Sequence, residues 1–301
     1  MTHIFNLEKQ TRLYRHKKSC YLLCEDTKTA TLIKDSNIRR QNRYRLPKFI
    51  ITDGLKYTIT RIEIGALKKS KRLKSLIIPD NIEFVDEDSI SCFPNLKRIY
   101  IGKNLHHVSS WMFGETNKLC SVIIDKGNRY LKIEKSIIYT FDGKCALTTP
   151  FRPKQLKVKT GVEIINAVAF WFNDKLESVS FPSTLKTIKD NALSHCSRLK
   201  EIILPEGLDR CEVQCLQNNI SLESVDLPST IQHLGFEVFY NCPSLKTLII
   251  RTHNVLSPTT YDLNDFVFLN NCTLYVPEEL VFEYQNNPIW SQCKSIMAIA
   301  K

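Results

Sequence analysis

A seven-residue pattern that begins with leucine recurs along the chain. Its copies are LKSLIIP at Leu73, LKRIYIG at Leu96, LCSVIID at Leu119, LESVSFP at Leu176, LKEIILP at Leu199, LESVDLP at Leu222 and LKTLIIR at Leu245. Successive copies start 23, 23, 57, 23, 23 and 23 residues apart. A fixed period in the twenties with leucine-rich strands is typical of a solenoid, in which each unit buries its apolar face against its neighbours. The spacing therefore predicts a repeat solenoid.

The residues within one period indicate what each turn looks like. Val179 and Phe181 are two apart, so they share one face of a strand, and Pro182 ends that strand because it lacks an N–H donor. Ala192 and Cys196 then have the spacing of one face of a short helical turn. The predicted fold is a solenoid that is mainly β with short helical turns, has a 23-residue period and is capped at both ends.

The long interval from Leu119 to Leu176 holds one degenerate repeat, at Leu156, and eleven surplus residues. The stretch IIYTFDGKCALTT within this interval alternates and contains Asp142-Gly143, a pair that type I′ hairpin turns favour. We expect a β-hairpin that projects from the stack. The predicted organisation is an N-terminal cap over 1–58, leucine-rich repeats over 59–250 with a hairpin insertion near 130–150, and the last repeat with a C-terminal cap over 251–301.

The repeat LESVDLPSTIQHLGFEVFYNCPSL resembles the BspA-like leucine-rich repeat, whose units run from a leucine-rich strand through proline to a cysteine before the next leucine. The resemblance covers roughly Ile59 to Leu245, and CTLYVPEELVFEYQNNPIWSQCKSI is similar to the closing unit of such proteins. It implies a non-enzymatic module that binds proteins or acts as an adhesin. This sequence departs from the pattern at Phe93 and Asn219, which stand where other repeats have cysteine.

Cysteine and histidine chemistry finds little support in the sequence. The chain has 11 cysteines but no CxxC pair, no GxGxxG and no Walker sequence, so metal and nucleotide sites lack their usual motifs. Cys196 and Cys242 occupy a repeat position that predicts a buried thiol. A nucleophile formed by His195 and Cys196 is the alternative, although chain neighbours need not face each other. We expect no catalytic residue, no cofactor and no metal.

Positive charge is concentrated in the N-terminal part of the chain. The whole chain carries 42 Lys and Arg against 31 Asp and Glu, whereas the stretch from Met1 to Ile50 carries twelve against four. The segment IRRQNRYRLPK places Tyr44 among cations, a composition compatible with phosphate contacts and base stacking. A solvated rim on the cap is the simpler interpretation. The alternative function is therefore binding of nucleic acid or another polyanion, through Arg39, Arg40, Arg43 and Arg45.

The outward face of the predicted sheet offers a second candidate surface. Ile77, Tyr100 and Ile123 occupy the same outward position in three successive repeats, and Arg98 lies beside them. A contiguous exposed apolar strip often marks an interaction site, although β-strand stacking alone also produces such ladders. We expect a protein partner, whose identity the sequence leaves open, and a monomeric chain.

The sequence composition and the family resemblance predict different compartments. No run approaches the roughly 18 apolar residues of a membrane span, and the stretch from Met1 to Cys20 lacks the apolar core of a secretory signal. These observations predict a cytoplasmic protein. The BspA-like resemblance instead implies a protein that is secreted or displayed on the cell surface.

Overall fold

The computed structural model describes residues 11–67, 70–90, 92–108, 110–114, 116–257 and 269–300. The chain divides into two compact units, residues 1–133 and 134–301. Unit 1 and unit 2 are built from the same 23-residue turn, so the solenoid predicted from the spacing is confirmed in each.

Unit 1 contains two sheets. The first has the strand order β1-β2-β3-β6-β5, with β8 beside β6, and the second has the order β4-β7-β9-β10. Short 3-10 helices lie at Asn37–Arg40 and Ser110–Phe113. The strands are β1 (Thr11–His16), β2 (Ser19–Cys24), β3 (Thr29–Asp35), β4 (Arg43–Arg45), β5 (Phe49–Thr52), β6 (Leu55–Ile62), β7 (Ser75–Ile78), β8 (Phe84–Val85), β9 (Arg98–Ile101) and β10 (Ser121–Ile124).

The first sheet of unit 1 starts with antiparallel strands and ends in solenoid register. Alternate residues of β2 are buried, among them Tyr21 and Leu23, as expected for a sheet with one face on the core. Strand β6 then pairs in parallel with β8, and Ile62 is the partner of Val85, one repeat period further along the chain. Strand β6 also pairs in parallel with β3 and antiparallel with β5, so the N-terminal strands satisfy its backbone.

Unit 2 holds most of the remaining repeats. Its described strands form the sheets β12-β13-β15-β17-β19-β21, β14-β16 and β18-β20-β22-β23-β24. The elements are β11 (Leu131–Glu134, at the unit boundary), β12 (Ile137–Thr140), β13 (Cys145–Thr148), β14 (Gln155–Lys157), β15 (Ile164–Ile165), β16 (Ser178–Ser180), β17 (Thr187–Ile188), β18 (Glu201–Ile203), β19 (Arg210–Cys211), β20 (Ser224–Leu227), β21 (His233–Leu234), β22 (Thr247–Ile250), β23 (Thr273–Val276), α1 (Val281–Gln285) and β24 (Ser295–Ala298).

The core of unit 2 consists of columns of equivalent residues. The leucines that open the repeats are fully buried, and so are most of the apolar residues at the inward strand positions. Parallel strand pairing between repeats joins residues one period apart, such as Val225 with Leu248. The inward side chains of one turn therefore pack directly against those of the next. The buried leucines are Leu176, Leu199, Leu222 and Leu245.

The hairpin over β12 and β13 does not project, contrary to the sequence-based expectation. Strand β13 pairs in parallel with β15, and Tyr139 and Ala146 are buried in the core of unit 2. The turn also differs from type I′, in which both central residues have a positive φ. Of Asp142 and Gly143, only Gly143 has a positive φ, at +81°. Asp142 stabilises the turn by accepting hydrogen bonds from Thr140 Oγ1 at 2.6 Å and Lys144 N at 3.0 Å.

Hydrogen bonding at the corners of the turns in unit 2 explains why asparagine can replace cysteine at position 219. Asn219 is fully buried, and its side chain accepts a hydrogen bond from Cys196 N at 2.7 Å and donates to Leu193 O and Leu216 O. Cys242, one turn later, donates from Sγ to Leu216 O at 3.3 Å. Either residue type therefore satisfies backbone groups of the preceding turn.

The end of unit 2 is closed by α1 and the segment that follows it. Tyr284 and Trp290 are fully buried. Trp290 Nε1 donates to Leu256 O at 2.7 Å, and Leu256 N donates to Tyr284 Oη at 3.1 Å. These two aromatic residues cover the last repeat while their polar atoms remain paired.

Candidate functional site

The second sheet of unit 1 presents two outward columns of side chains. Parallel register places Arg43, Ser75, Arg98 and Ser121 in one column. The neighbouring column consists of Arg45, Ile77, Tyr100 and Ile123. We call these eight residues the arginine-tyrosine face. The residues between the columns point inward, and three of them, Leu76, Ile99 and Val122, are buried.

The structure brings the two candidate surfaces of the sequence together in part. Ile77, Tyr100 and Ile123 are register neighbours, so their Cα atoms lie roughly 4.8 Å apart from strand to strand. Arg45 extends this column at Ile77, and Arg43 lies in the same column as Arg98. Two of the arginines assigned to polyanion binding therefore border the strip assigned to protein binding.

Arg39 and Arg40 are placed elsewhere. Both are exposed and end the 3-10 helix Asn37–Arg40, which precedes β4. Tyr44 is not available for base stacking as the sequence suggested, because it is half-buried and its hydroxyl donates to the buried carboxylate of Asp35. Partial burial and that hydrogen bond raise the pKa of Tyr44. The four arginines of the polyanion hypothesis thus do not form one cluster around an exposed ring.

Tyr100 occupies the middle of the arginine-tyrosine face and is half-exposed. Its hydroxyl donates to Asp125 Oδ2, and this hydrogen bond is the largest cause that raises the pKa of Tyr100 to about 12. The same bond lowers the pKa of Asp125, which also accepts from Gly127 N at 2.8 Å. The ring is therefore held in place as a neutral phenol at physiological pH, a type of residue that often dominates binding energies.

The positive charges of this face are not compensated within the described residues. Arg43, Arg45 and Arg98 are exposed, and no ion pair or hydrogen bond engages their guanidinium groups in that part of the chain. The face belongs to the basic unit, because unit 1 carries 26 Lys and Arg against 13 Asp and Glu, a net charge of +13. Unit 2 carries 16 against 18, a net charge of −2. A partner with acidic groups fits the arginine-tyrosine face.

Sequence reasoning missed that β4 belongs to this sheet. The recurring pattern begins with leucine, and Gln41 stands where that leucine would be. A signal was nevertheless present. The stretch Arg43-Tyr44-Arg45-Leu46-Pro47 has the same order of outward, inward and proline positions as Ser75-Leu76-Ile77-Ile78-Pro79.

The equivalent sheet of unit 2 has a different outward face. One column begins at Glu201, and its other members carry hydroxyl groups: Ser224, Thr247, Thr273 and Ser295. The other column consists of Ile203, Asp226, Ile249, Tyr275 and Met297. Asp226 is paired with Arg251 by two hydrogen bonds of 2.8 Å. We call this surface the hydroxyl face.

The thiol and histidine candidates do not form a reactive site. Cys196 is fully buried, which raises the pKa of its thiol to about 12, and its Sγ donates to Phe170 O at 3.5 Å. His195 instead lies against Asn218, with 3.2 Å between Nε2 and Nδ2. A thiol at such a pKa remains protonated and unreactive at neutral pH. Among the described residues, no group of three or more His, Cys, Asp and Glu side chains is arranged to hold a metal ion.

The described residues include no helix that is both long and apolar enough to cross a membrane.

The BspA type leucine rich repeat region matches residues 41–150 and 139–274 of this chain, with six copies. Since these ranges cover more than half of the chain, the protein belongs to the BspA type leucine-rich repeat family. Repeat proteins of this family are typically protein-binding or adhesin-like modules. The match begins at residue 41, just before β4. Curated proteins include no match to the chain.

Solved structures of bacterial leucine-rich repeat proteins share the fold. A leucine-rich repeat protein from Bacteroides ovatus is 18% identical with a TM-score of 0.56, over 95% of this chain and 76% of that one. The pneumococcal vaccine antigen PcpA is 14% identical with a TM-score of 0.61, over 97% and 100%. A leucine-rich repeat protein from Eubacterium ventriosum is 12% identical with a TM-score of 0.52, over 96% and 85%.

Proposed function

We propose that this protein is a non-enzymatic binding module that recognises a protein partner through the arginine-tyrosine face. The observation that carries the proposal is the register of β4, β7, β9 and β10, which sets Arg45, Ile77, Tyr100 and Ile123 side by side. Aromatic and arginine side chains contribute most of the energy at many protein interfaces. Family membership supports a binding role, since such repeats are typically protein-binding or adhesin-like modules.

The charge of the face supports a partner with acidic groups next to apolar ones. Arg43, Arg45 and Arg98 surround the apolar strip without a counter-ion among the described residues. Bringing an acidic, partly apolar surface to this face would compensate the charge and bury Ile123, which is 53% exposed. A hydrophobic centre with a polar rim is the usual anatomy of a protein interface.

The test compares two tyrosines at equivalent repeat positions. Wild type, Tyr100→Ala and Tyr275→Ala are immobilised and used to capture proteins from an extract of the native source. We expect the Tyr100 variant to bind its partner about tenfold more weakly, or roughly 1–2 kcal/mol. The Tyr275 variant should retain wild-type capture, because its ring lies on the hydroxyl face. Equal losses in both variants, or none in either, would contradict the proposal.

Binding of a polyanion is a second candidate function, favoured by the charge of unit 1. A net charge of +13 attracts nucleic acids and other polyanions at low salt. The four arginines first assigned to this role are divided between the 3-10 helix, with Arg39 and Arg40, and the sheet face, with Arg43 and Arg45. A polyanion bound by all four would need to span both elements.

A further inference from the structure

A groove on the first sheet of unit 1 is lined by five cationic side chains. A cavity of about 620 Å³ lies beside the tip of the β1-β2 hairpin, and an adjoining cavity of about 330 Å³ extends towards Gly65 and Ala66. The two share Ile33, Lys34 and Ser36. We call the surface formed by these two cavities the cationic groove. Its five cations are Arg15, Lys17, Lys18, Lys34 and Arg39.

The positive charge of this groove is uncompensated. No ion pair or hydrogen bond engages any of the five cationic groups within the described part of the chain. Asp35 is the single acid among the described residues that line the groove. It is buried and fully engaged, since it accepts from Ser19 Oγ at 3.0 Å, from Asn37 N at 2.9 Å and from Tyr44. The groove therefore has a surplus of positive charge in a concave surface, which concentrates anions.

Strand register determines how far apart the cationic residues of the groove lie. Arg15 is the register partner of Cys20, and Cys20 is the partner of Lys34, so the three lie side by side across β1, β2 and β3. The Cα atoms of Arg15 and Lys34 are thus two strand spacings apart, roughly 10 Å. Arginine and lysine side chains are long enough for these two to converge on one phosphate or sulfate. An extended ligand with several anionic groups can in addition engage Lys17, Lys18 and Arg39, which line the same groove.

The lining also distinguishes among anionic ligands. Among the described residues that line the groove, none is Phe, Tyr or Trp, so this lining offers no platform on which a nucleic-acid base could stack. Three of the five cations are lysines, which act as point charges towards phosphate or sulfate rather than as planar forks. The hydroxyl of Ser36 caps no N–H of the adjacent 3-10 helix, which leaves it available to donate to an oxyanion.

We propose that the cationic groove binds an oligoanion, a chain of phosphate or sulfate groups without an aromatic part. This site is separate from the arginine-tyrosine face, and it shares only Arg39 with the residues first assigned to polyanion binding. Polyphosphates and sulfated oligosaccharides both present the required chemistry. Their relative affinities identify which source of anionic groups the groove prefers.

The proposal is tested by measuring the binding of three probes. They are tripolyphosphate, a heparin-derived hexasaccharide and a single-stranded DNA with the same charge as the hexasaccharide. The groove variant carries Arg15→Gln, Lys18→Gln and Lys34→Gln. The matched control carries Arg72→Gln, Lys74→Gln and Lys97→Gln, three exposed residues outside the groove and the arginine-tyrosine face, which remove the same charge from the same unit. We expect the groove variant to lose at least tenfold in affinity for one of the first two probes. The control should lose less than about threefold, since those residues lie outside the groove.

The dependence on salt gives a second readout of the same contacts. Each cation that neutralises an anionic group adds roughly one to the slope of log affinity against log salt. The groove variant should therefore show a slope shallower by about two to three. Equal losses in the two variants, no binding by wild type, or DNA binding as tight as the hexasaccharide would each overturn the proposal.

Cys20 provides a test that needs no mutation and so does not depend on whether the variants fold. Its half-buried side chain lines the groove, whereas Cys24 lies further along β2 and Cys120 is exposed outside it. Saturating tripolyphosphate or hexasaccharide should slow the labelling of Cys20 by a thiol reagent at least severalfold, as followed by peptide mass spectrometry. Labelling of Cys24 and Cys120 should not change. Unaltered labelling of Cys20 at saturation would overturn the proposed site.

Discussion

The arginine-tyrosine face of unit 1 and the hydroxyl face of unit 2 are outward surfaces of the same kind of sheet. Both have an apolar column, with Ile77, Tyr100 and Ile123 in unit 1 and Ile203, Ile249 and Tyr275 in unit 2. They differ in charge. Arg43, Arg45 and Arg98 are exposed and unpaired among the described residues, whereas the one acid within the apolar column of unit 2, Asp226, is held by Arg251.

This difference shows which residues define a candidate site. An apolar column that recurs in both units is explained by β-strand packing, because apolar neighbours across strands stabilise a sheet wherever it lies. The described columns of the core and of the hydroxyl face contain no equivalents of Arg43, Arg45 and Arg98. The charged residues around Tyr100, rather than the apolar strip alone, therefore distinguish the proposed binding surface.

The largest expected effect concerns an inward position, where the fold should tolerate little change. Asn219→Leu removes the partners of Cys196 N and Leu193 O in a fully buried corner, and it leaves Leu216 O with only the bond from Cys242. Leaving two buried backbone groups unpaired should lower the free energy of unfolding by at least about 2 kcal/mol. Chemical denaturation followed by circular dichroism measures this loss.

Asn219→Cys is the matched control for that substitution. A thiol at this position can donate to Leu193 O, as Cys242 donates to Leu216 O. The cysteine variant should therefore be clearly more stable than the leucine variant. If the two variants are equally stable, the shared role of asparagine and cysteine at this corner is wrong.

A smaller effect is expected when charge is reversed on the outward faces. Arg98 and Glu201 hold the same position within their repeats, and both are exposed. Arg98→Glu should weaken capture of the native partner at least about tenfold, because it places an acid opposite the acidic groups proposed for the partner. Glu201→Arg should leave capture unchanged, and neither should shift the melting temperature by more than a few degrees. An equal effect from both reversals would remove the distinction between the two faces.

Much of the fold could be predicted because a solenoid converts sequence spacing directly into contact. Leu73, Leu96 and Leu119 follow one another at one repeat period, and their strands are parallel neighbours for that reason. The same rule aligns Ile77 with Tyr100 and Tyr100 with Ile123. Fixed spacing therefore gave both the fold and the order of residues along the candidate face.

Features that depend on irregular segments could not be predicted in this way. Strand β4 begins at Arg43 and β7 at Ser75, a longer step than the repeat period, so the arginines of β4 joined the face without a signal in the spacing. The cationic groove arises because β2 pairs with both β1 and β3, which brings Arg15 close to Lys34. The hairpin over β12 and β13 was expected to project because its pairing with β15 depends on a two-residue ladder that alternation does not reveal.

Site-specific photo-cross-linking tests the central claim most directly. Ile123 and Ile203 hold equivalent outward positions, and their side chains are 53% and 60% exposed. Each is replaced in turn by p-benzoylphenylalanine, and the protein is irradiated in the presence of the partner captured by wild type. The account predicts a cross-linked partner from position 123 and none from position 203. A cross-link from position 203 with none from position 123 would contradict it.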